Sequence, residues 1–299
     1  MRQAEATRDV LVAGQTPIFV VSLPGSTKRH QTIAARLREL GLQFEFFDAI
    51  DGRDLPSHLE DQVDPEFGSA KQLLGRKLSA GEIGCAFSHA FLMRDIVSRQ
   101  LPAAFVLEDD SYPSDDFADL VRSSSLIADS RIGLATLYYQ PLRAWSLLSR
   151  RVGGRYRAYR PAQHPWHTVG YFIKLESAQR LLSHALPVSC VADWPAPIHL
   201  WPTTFCIYPR PVSTDLEPSS SLIHEERTNL ETEGREKLEH RYALESWSIP
   251  QQRLGRVFSF TLLPCLLWPQ VFGDWREALV VLRRVLRSLP LRLLGKTLA

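Results

Sequence analysis

The sequence predicts an α/β fold with a parallel sheet, on three observations. The chain reads strand, helix, strand near its amino end. A later apolar strand run stops abruptly in three carboxylates. Its 299 residues, 44% hydrophobic and 23% charged, suit a globular chain with a large core and exclude a disordered chain, a collagen and a small disulfide scaffold. The first strand is 17–23 (PIFVVSL), apolar and rich in β-branched residues, running into the turn Pro24-Gly25-Ser26-Thr27. Residues 28–40 place Ile33, Leu37 and Leu40 at helical spacing, with Ser26 or Thr27 as N-cap and Gly41 as the stop. A second strand follows at 44–50. In sheets of this kind ligands sit beyond the carboxyl ends of the strands, which directs attention to residues 22–29 and 48–53.

Residues 54–78 are polar and mixed, a surface excursion. Ser79 followed by Glu82 is a capping-box pattern, and Ile83, Phe87, Phe91 and Ile96 trace one face of the helix it opens. Gly84 and Cys85 would let another element pack close. Glu82 reads equally as a capping carboxylate or a catalytic one, and His89 as a core histidine or a site residue. The apolar strand 103–107 then ends in Glu108-Asp109-Asp110. Like charges so close are costly unless a cation or hydrogen-bond donors compensate them. Alternation along a strand end lets Glu108 and Asp110 point the same way, and oxygen ligands suit Mn²⁺ or Mg²⁺. A solvated acidic loop is the plainer alternative.

Residues 132–139 and 167–174 read as further strands, with a helix at 176–186 that turns Ala178, Leu181 and Leu182 inward. The arginines and aromatics between 143 and 160 suit phosphate or sugar contact, or a hairpin edge in solvent. In the Pro-rich stretch beyond, Asp193 stands beside Trp194, an acid able to take a hydroxyl proton next to a ring face able to pack on a sugar.

The net charge of +2 is a cancellation: residues 251–299 carry eight Lys/Arg and two Asp/Glu, leaving 27 and 31 for residues 1–250. This distribution argues against a nucleic-acid binder. In the tail, apolar positions 279–289 interleave with Arg283, Arg284 and Arg287 in a helix-like pattern. That suits an anionic membrane surface, or a terminal helix packed on the domain. Residues 257–273 are uncharged but hold Pro264 and Pro269, which argue against a spanning helix. The first 16 residues lack a sustained apolar run, and the four cysteines lack C-x-x-C spacing. Together these predict reduced thiols in a cytoplasmic protein, peripheral on the cytoplasmic face of the inner membrane if the tail binds lipid.

Three blocks together resemble glycosyltransferase family 25, the lipooligosaccharide galactosyltransferases. They are FVVSLPGSTKRHQTIAARLRELGLQFEFFDAIDGRDL at 19–55, LSAGEIGCAFSHAFLMRDI at 78–96 with AAFVLEDD at 103–110, and HTVGYFIKLESAQRLL at 167–182 leading to Asp193. Ser22 stands where the family has Asn. The resemblance covers about residues 17–200 and implies a GT-A-like nucleotide-sugar fold with the helical tail appended. The domains would then be an extension at 1–16, a catalytic domain at 17–210, its completion at 211–250 and the tail at 251–299. It further implies a UDP-galactose donor, a lipid-linked or oligosaccharide acceptor, and Mn²⁺ or Mg²⁺ held by Glu108 and Asp110. Donor contacts would come from Ser22, Leu23, Arg29, Asp48, Ser88, His89 and Asp109, and acceptor contacts from Trp194 and Tyr171. Asp193, then Glu82, are the candidates for the base, and His224 is an extra contact. A metal-dependent phosphohydrolase and a carbohydrate-binding scaffold without turnover are the competing readings. The first lacks an Asp-x-Asp-x-Thr nucleophile pattern and paired histidine ligands.

Overall fold

The computed structural model describes residues 16–67 and 76–214. The expectations for residues 1–15, 215–250 and the basic tail, including residues 257–273 and His224, lie outside the described residues. Among the described residues the strands are β1 (Ile18–Ser22), β2 (Glu45–Asp48), β3 (Ala103–Glu108), β4 (Ser111–Pro113), β5 (Leu134–Thr136), β6 (Ala144–Arg151), β7 (Arg157–Pro161), β8 (Gly170–Lys174), β9 (Thr204–Tyr208) and β10 (Val212–Thr214). The α-helices are α1 (Thr27–Glu39), α2 (Ser57–Glu60), α3 (Ala80–Ser98), α4 (Phe117–Arg122), α5 (Ser125–Ala128) and α6 (Leu175–Ala185).

Eight strands form one sheet in the order β2-β1-β3-β8-β5-β9-β7-β6, and β10 pairs with β4 in a small second sheet. The expected parallel pairing holds for β1 with β2 and with β3, and for β5 with β9. The sheet as a whole is mixed, because β8 lies antiparallel between β3 and β5, and the β6–β7 hairpin closes the far edge. That hairpin is the arginine-rich stretch, so its alternation of Arg with aromatic residues follows an edge ribbon.

The central strands read as continuous apolar runs because both faces are covered. Ile18, Val20, Phe105, Leu107 and Phe172 pack on one side with Ile33 and Leu37 of α1 and Phe117 of α4. Phe19, Val21, Val106, Tyr171 and Ile173 pack on the other with Leu92 and Ile96 of α3 and Leu181 of α6. The period of two along each strand therefore separates two cores, giving a three-layer α/β/α arrangement. Among the described residues no helix is long and apolar enough to cross a membrane.

The predicted capping box at α3 is present in both directions, Ser79 Oγ accepting from the Glu82 N–H and the Glu82 carboxylate accepting from the Ser79 N–H. Gly84 works as expected, letting the loop after β2 rest on the helix backbone. A Cβ on Gly84 would fall 2.4 Å from the Gly52 nitrogen, and one on Gly52 would fall 1.8 Å from the Ala80 carbonyl oxygen. Ser88 completes the clamp, donating to Gly84 O at 2.6 Å and accepting from the Ile50 N–H at 2.8 Å.

Because backbone atoms cannot yield as side chains do, Gly84→Ala should cost about 1–3 kcal/mol, read as a lower thermal midpoint. Gly25→Ala, where a Cβ meets nothing within 4 Å, should leave the midpoint nearly unchanged.

Candidate active site

Parallel pairing of β1 and β3 puts their carboxyl ends side by side, with Val21 opposite Glu108. Ser22 and the acidic triplet therefore meet although 87 residues separate Ser22 from Asp109. Ser22 Oγ donates to Asp109 Oδ2 at 2.5 Å, and Arg29, in the first turn of α1, pairs with Asp109 Oδ1 at 3.0 Å. Two of the residues expected at the donor, Ser22 and Arg29, thus act on Asp109 and hold it in place.

Glu108 is satisfied from the opposite side. Its Oε1 accepts from Thr168 Oγ1 at 2.6 Å and lies 3.1 Å from His89 Nε2. The other ring nitrogen of His89 is 2.9 Å from the Tyr171 hydroxyl. Burial pushes the Glu108 pKa up, but the hydrogen bonds and charge of His89, the Thr168 hydroxyl and the charge of His167 outweigh it and hold the group below its ordinary value. Thr168 arrives here because β8 runs antiparallel to β3, so the residues that enter β8 meet the residues that leave β3, and the Glu108 N–H donates to Val169 O.

Asp110 differs from its neighbours. Its Oδ1 is buried and finds no hydrogen-bond partner. Burial, then repulsion from Glu108 and Asp109, raises its pKa to about 7, with Arg29 opposing the rise. An orphaned carboxylate oxygen beside two further carboxylates fits a hard divalent cation, which would satisfy the oxygen and relieve the repulsion together. Of the two expected ligands, Asp110 has the vacant lone pairs, whereas Glu108 Oε1 is already engaged.

The loop after α6 brings Asp193 to the same place, its Oδ1 3.5 Å from Thr168 Oγ1. Thr168 therefore stands between Glu108 and Asp193. Two bulky residues beside these groups hold positive φ, His167 at 79° and Trp194 at 75°. Such backbone costs on the order of 1–3 kcal/mol each and persists where the surroundings enforce it. Trp194 is only 3% exposed, donates Nε1–H to Pro165 O at 2.7 Å and packs edge-on against the fully buried Tyr171. Both rings are buried and, with His89 and Thr168, line a small pocket beside these groups.

Glu82 is 2% exposed, and both its oxygens are taken by the cap and by the Arg76 guanidinium at 2.7 and 2.9 Å. A carboxylate clamped this way is a poor proton acceptor, whereas Asp193 lies within reach of Thr168 beside the triplet. Ser88 belongs to the clamp described above. Leu23 lines an open groove of about 530 Å³ beyond the ends of β1 and β2, together with Gly25, Ser26, Ile50, Asp51 and Arg53. Asp48 is exposed at the end of β2, opposite Ser22 in the sheet.

Comparison with known proteins matches residues 15–194 to the family model described as "Glycosyltransferase family 25 (LPS biosynthesis protein)". The chain belongs to glycosyltransferase family 25. A glycosyltransferase 25 family member of Aedes aegypti is 30% identical over 173 residues, covering 56% of this chain and 28% of that protein. Human procollagen galactosyltransferase 2 is 25% identical over 172 residues, covering 56% and 28%. The mouse inactive glycosyltransferase 25 family member 3 is 31% identical over 106 residues, covering 35% and 18%. This chain thus spans less than a third of the length of each. A crystal structure of a glycosyltransferase involved in glycosylation of the major capsid of PBCV-1 overlays at a TM-score of 0.31 and 13% identity, covering 56% of this chain and 65% of that one.

In this family 25 chain, sequence reasoning passed over Thr168 and the histidines behind Asp193. Thr168 had a legible signal, a polar residue just before a buried strand. His164 Nε2 lies 3.2 Å from the Asp193 carbonyl oxygen, and its Nδ1 lies 3.3 Å from Nδ1 of His199. Since a carbonyl only accepts, His164 donates from Nε2, accepts at Nδ1, and His199 donates to it. No spacing rule would have joined these two rings across 35 residues.

Burial holds both pKa values down at about 4, from 6.5. The unfolded chain therefore takes up protons first on acidification. Stability from this pair is complete above about pH 6.5 and lost as pH falls toward 4. Thermal midpoints of the family 25 chain should fall across that window, and His199→Gln should make the fall shallower.

Proposed function

We propose that the chain is a metal-dependent glycosyltransferase of GT-A-like fold. It would move a hexose, galactose, from a UDP-sugar to a lipooligosaccharide or other surface glycan. The observation that carries this reading is Asp110. Its buried, unpartnered oxygen sits in an acidic triplet at the end of a central strand, with a second acid, Asp193, joined to that cluster through Thr168. Family membership and the likeness to procollagen galactosyltransferase 2 support glycosyl transfer and, more loosely, galactose.

In the proposed reaction the acceptor hydroxyl oxygen forms a bond to the anomeric carbon while the bond from that carbon to the diphosphate breaks. Asp193 takes the hydroxyl proton on its carboxylate, and UDP leaves. A cation bound at Asp110 would supply Lewis-acid stabilisation of the charge gathering on the diphosphate. Asp109, held by Ser22 and Arg29, keeps the turn in register, and the groove lined by Leu23, Ile50 and Arg53 has room for the nucleoside. Trp194 and Tyr171 fix the loop bearing Asp193. The likeness to an inactive family member supports a second reading, a glycan-binding protein without turnover.

UDP release from UDP-galactose, with Mn²⁺ or EDTA, tests the reading. The wild type should turn over only with metal. Asp110→Asn should lose metal-dependent donor binding, whereas Asp193→Asn should keep donor binding and lose roughly 10²–10⁴-fold in turnover. Donor affinity indifferent to EDTA would overturn the metal, and near-normal turnover in Asp193→Asn would overturn the base. Donor binding with no UDP release would favour the second reading.

We further propose that residues 251–299 hold the protein on the cytoplasmic face of an anionic membrane, where a lipid-linked acceptor would lie. Vesicles containing anionic lipid should sediment the full chain and not a chain ending near residue 250. Equal sedimentation would remove the tail from that role.

A further inference from the structure

Beside the hard-cation position at Asp110 stands a donor set of different chemistry. Cys85 and His89 are one turn apart on α3, and each offers a ligand atom that, with a Glu108 carboxylate oxygen, lies within 4.8 Å of the other two. We infer that Cys85, His89 and Glu108 form a separate site for a soft divalent cation of the Zn²⁺ class, with three protein ligands and a fourth position left for water.

The donor types point to that class. A thiolate beside an imidazole selects Zn²⁺ or Co²⁺ over Mn²⁺ or Mg²⁺, which prefer oxygen alone. The distances fit with small movement. Ligands about 2.0 Å from a tetrahedral metal are roughly 3.3 Å apart, close to the 3.1 Å between His89 Nε2 and Glu108 Oε1. The sulfur, within 4.8 Å of both other ligand atoms, has at most about 1.3 Å to travel, within reach of a change of rotamer. Cys85 is half-buried, so the set is reachable from outside, while His89 is buried.

A supporting partner is already in place. Metal-bound histidines donate their second ring N–H to an oxygen, and the Tyr171 hydroxyl lies 2.9 Å from His89 Nδ1. On binding, Cys85 releases its thiol proton to solvent. The Nε2 proton of the charged His89 ring leaves to solvent, and Nδ1 keeps its proton, donated to the Tyr171 hydroxyl. Glu108 Oε1, which receives the Thr168 hydroxyl in the structure, would turn to the cation. The link between Glu108 and Asp193 would open, so a soft cation should inhibit transfer. That last consequence rests on the proposed function, whereas binding does not.

The test titrates the metal-free full chain with Co²⁺ and follows the near-ultraviolet thiolate-to-cobalt absorption. One Co²⁺ per chain should give the band, and one equivalent of Zn²⁺ should abolish it. Asp110→Asn should retain the band, Cys85→Ser should lose it, and Tyr171→Phe should weaken the affinity by roughly 10–100-fold. Absence of the band from the wild type would overturn the site. Its persistence in Cys85→Ser would also do so, by assigning it to another cysteine. Circular dichroism of each variant separates loss of the site from loss of the fold. The readout needs no turnover, so a failed transferase reading leaves it intact.

Discussion

Three adjacent carboxylates at the end of a buried strand repel one another, and the surrounding structure is arranged to answer that repulsion in three different ways. Glu108 is held ionised by His89 and Thr168, and Asp109 is hydrogen-bonded by Ser22 and Arg29. Asp110 has no such partner and rises toward neutrality. The asymmetry makes chemistry available. Two satisfied carboxylates form rigid walls of negative charge, and the third is left as the position where a cation lowers the energy most.

Topology supplies the partners. Parallel pairing sets the end of β1 beside the end of β3, and the antiparallel entry of β8 places Thr168 on the other flank. Behind them the two cores on either side of the sheet hold the strands, and α3 carries His89 on the same helix whose glycine seats the loop bordering the groove. Strained backbone at His167 and Trp194 fits the same logic. The surrounding packing tolerates an unfavourable φ where it directs Thr168 and Asp193 toward the carboxylates. Buried histidines brace the Asp193 loop from behind through a chain of neutral hydrogen bonds.

Aromatic and acidic residues that look catalytic in a sequence divide sharply once placed. Asp193 and Glu82 are both isolated acids near plausible elements, yet one reaches the triplet through Thr168 and the other is closed by Arg76 and the α3 cap. Trp194, whose ring suits stacking on a sugar, is packed into the core with its N–H satisfied by Pro165 O. Tyr171 likewise turns its hydroxyl to His89 within the protein.

The sequence by itself determined the local order: the strand, helix and strand at the amino end, the capping box from Ser79 to Glu82, and the acidic triplet at the end of an apolar strand. These follow from periodicity and from capping chemistry, which act over a few residues. Only the tertiary structure decided that the sheet is mixed, that Thr168 lies between Glu108 and Asp193, that His164 meets His199, and that one buried oxygen of Asp110 is left without a hydrogen bond. Those facts depend on strand register and on contacts spanning 25 to 87 residues. No short-range pattern encodes such contacts, because they arise when the two faces of the sheet are buried together.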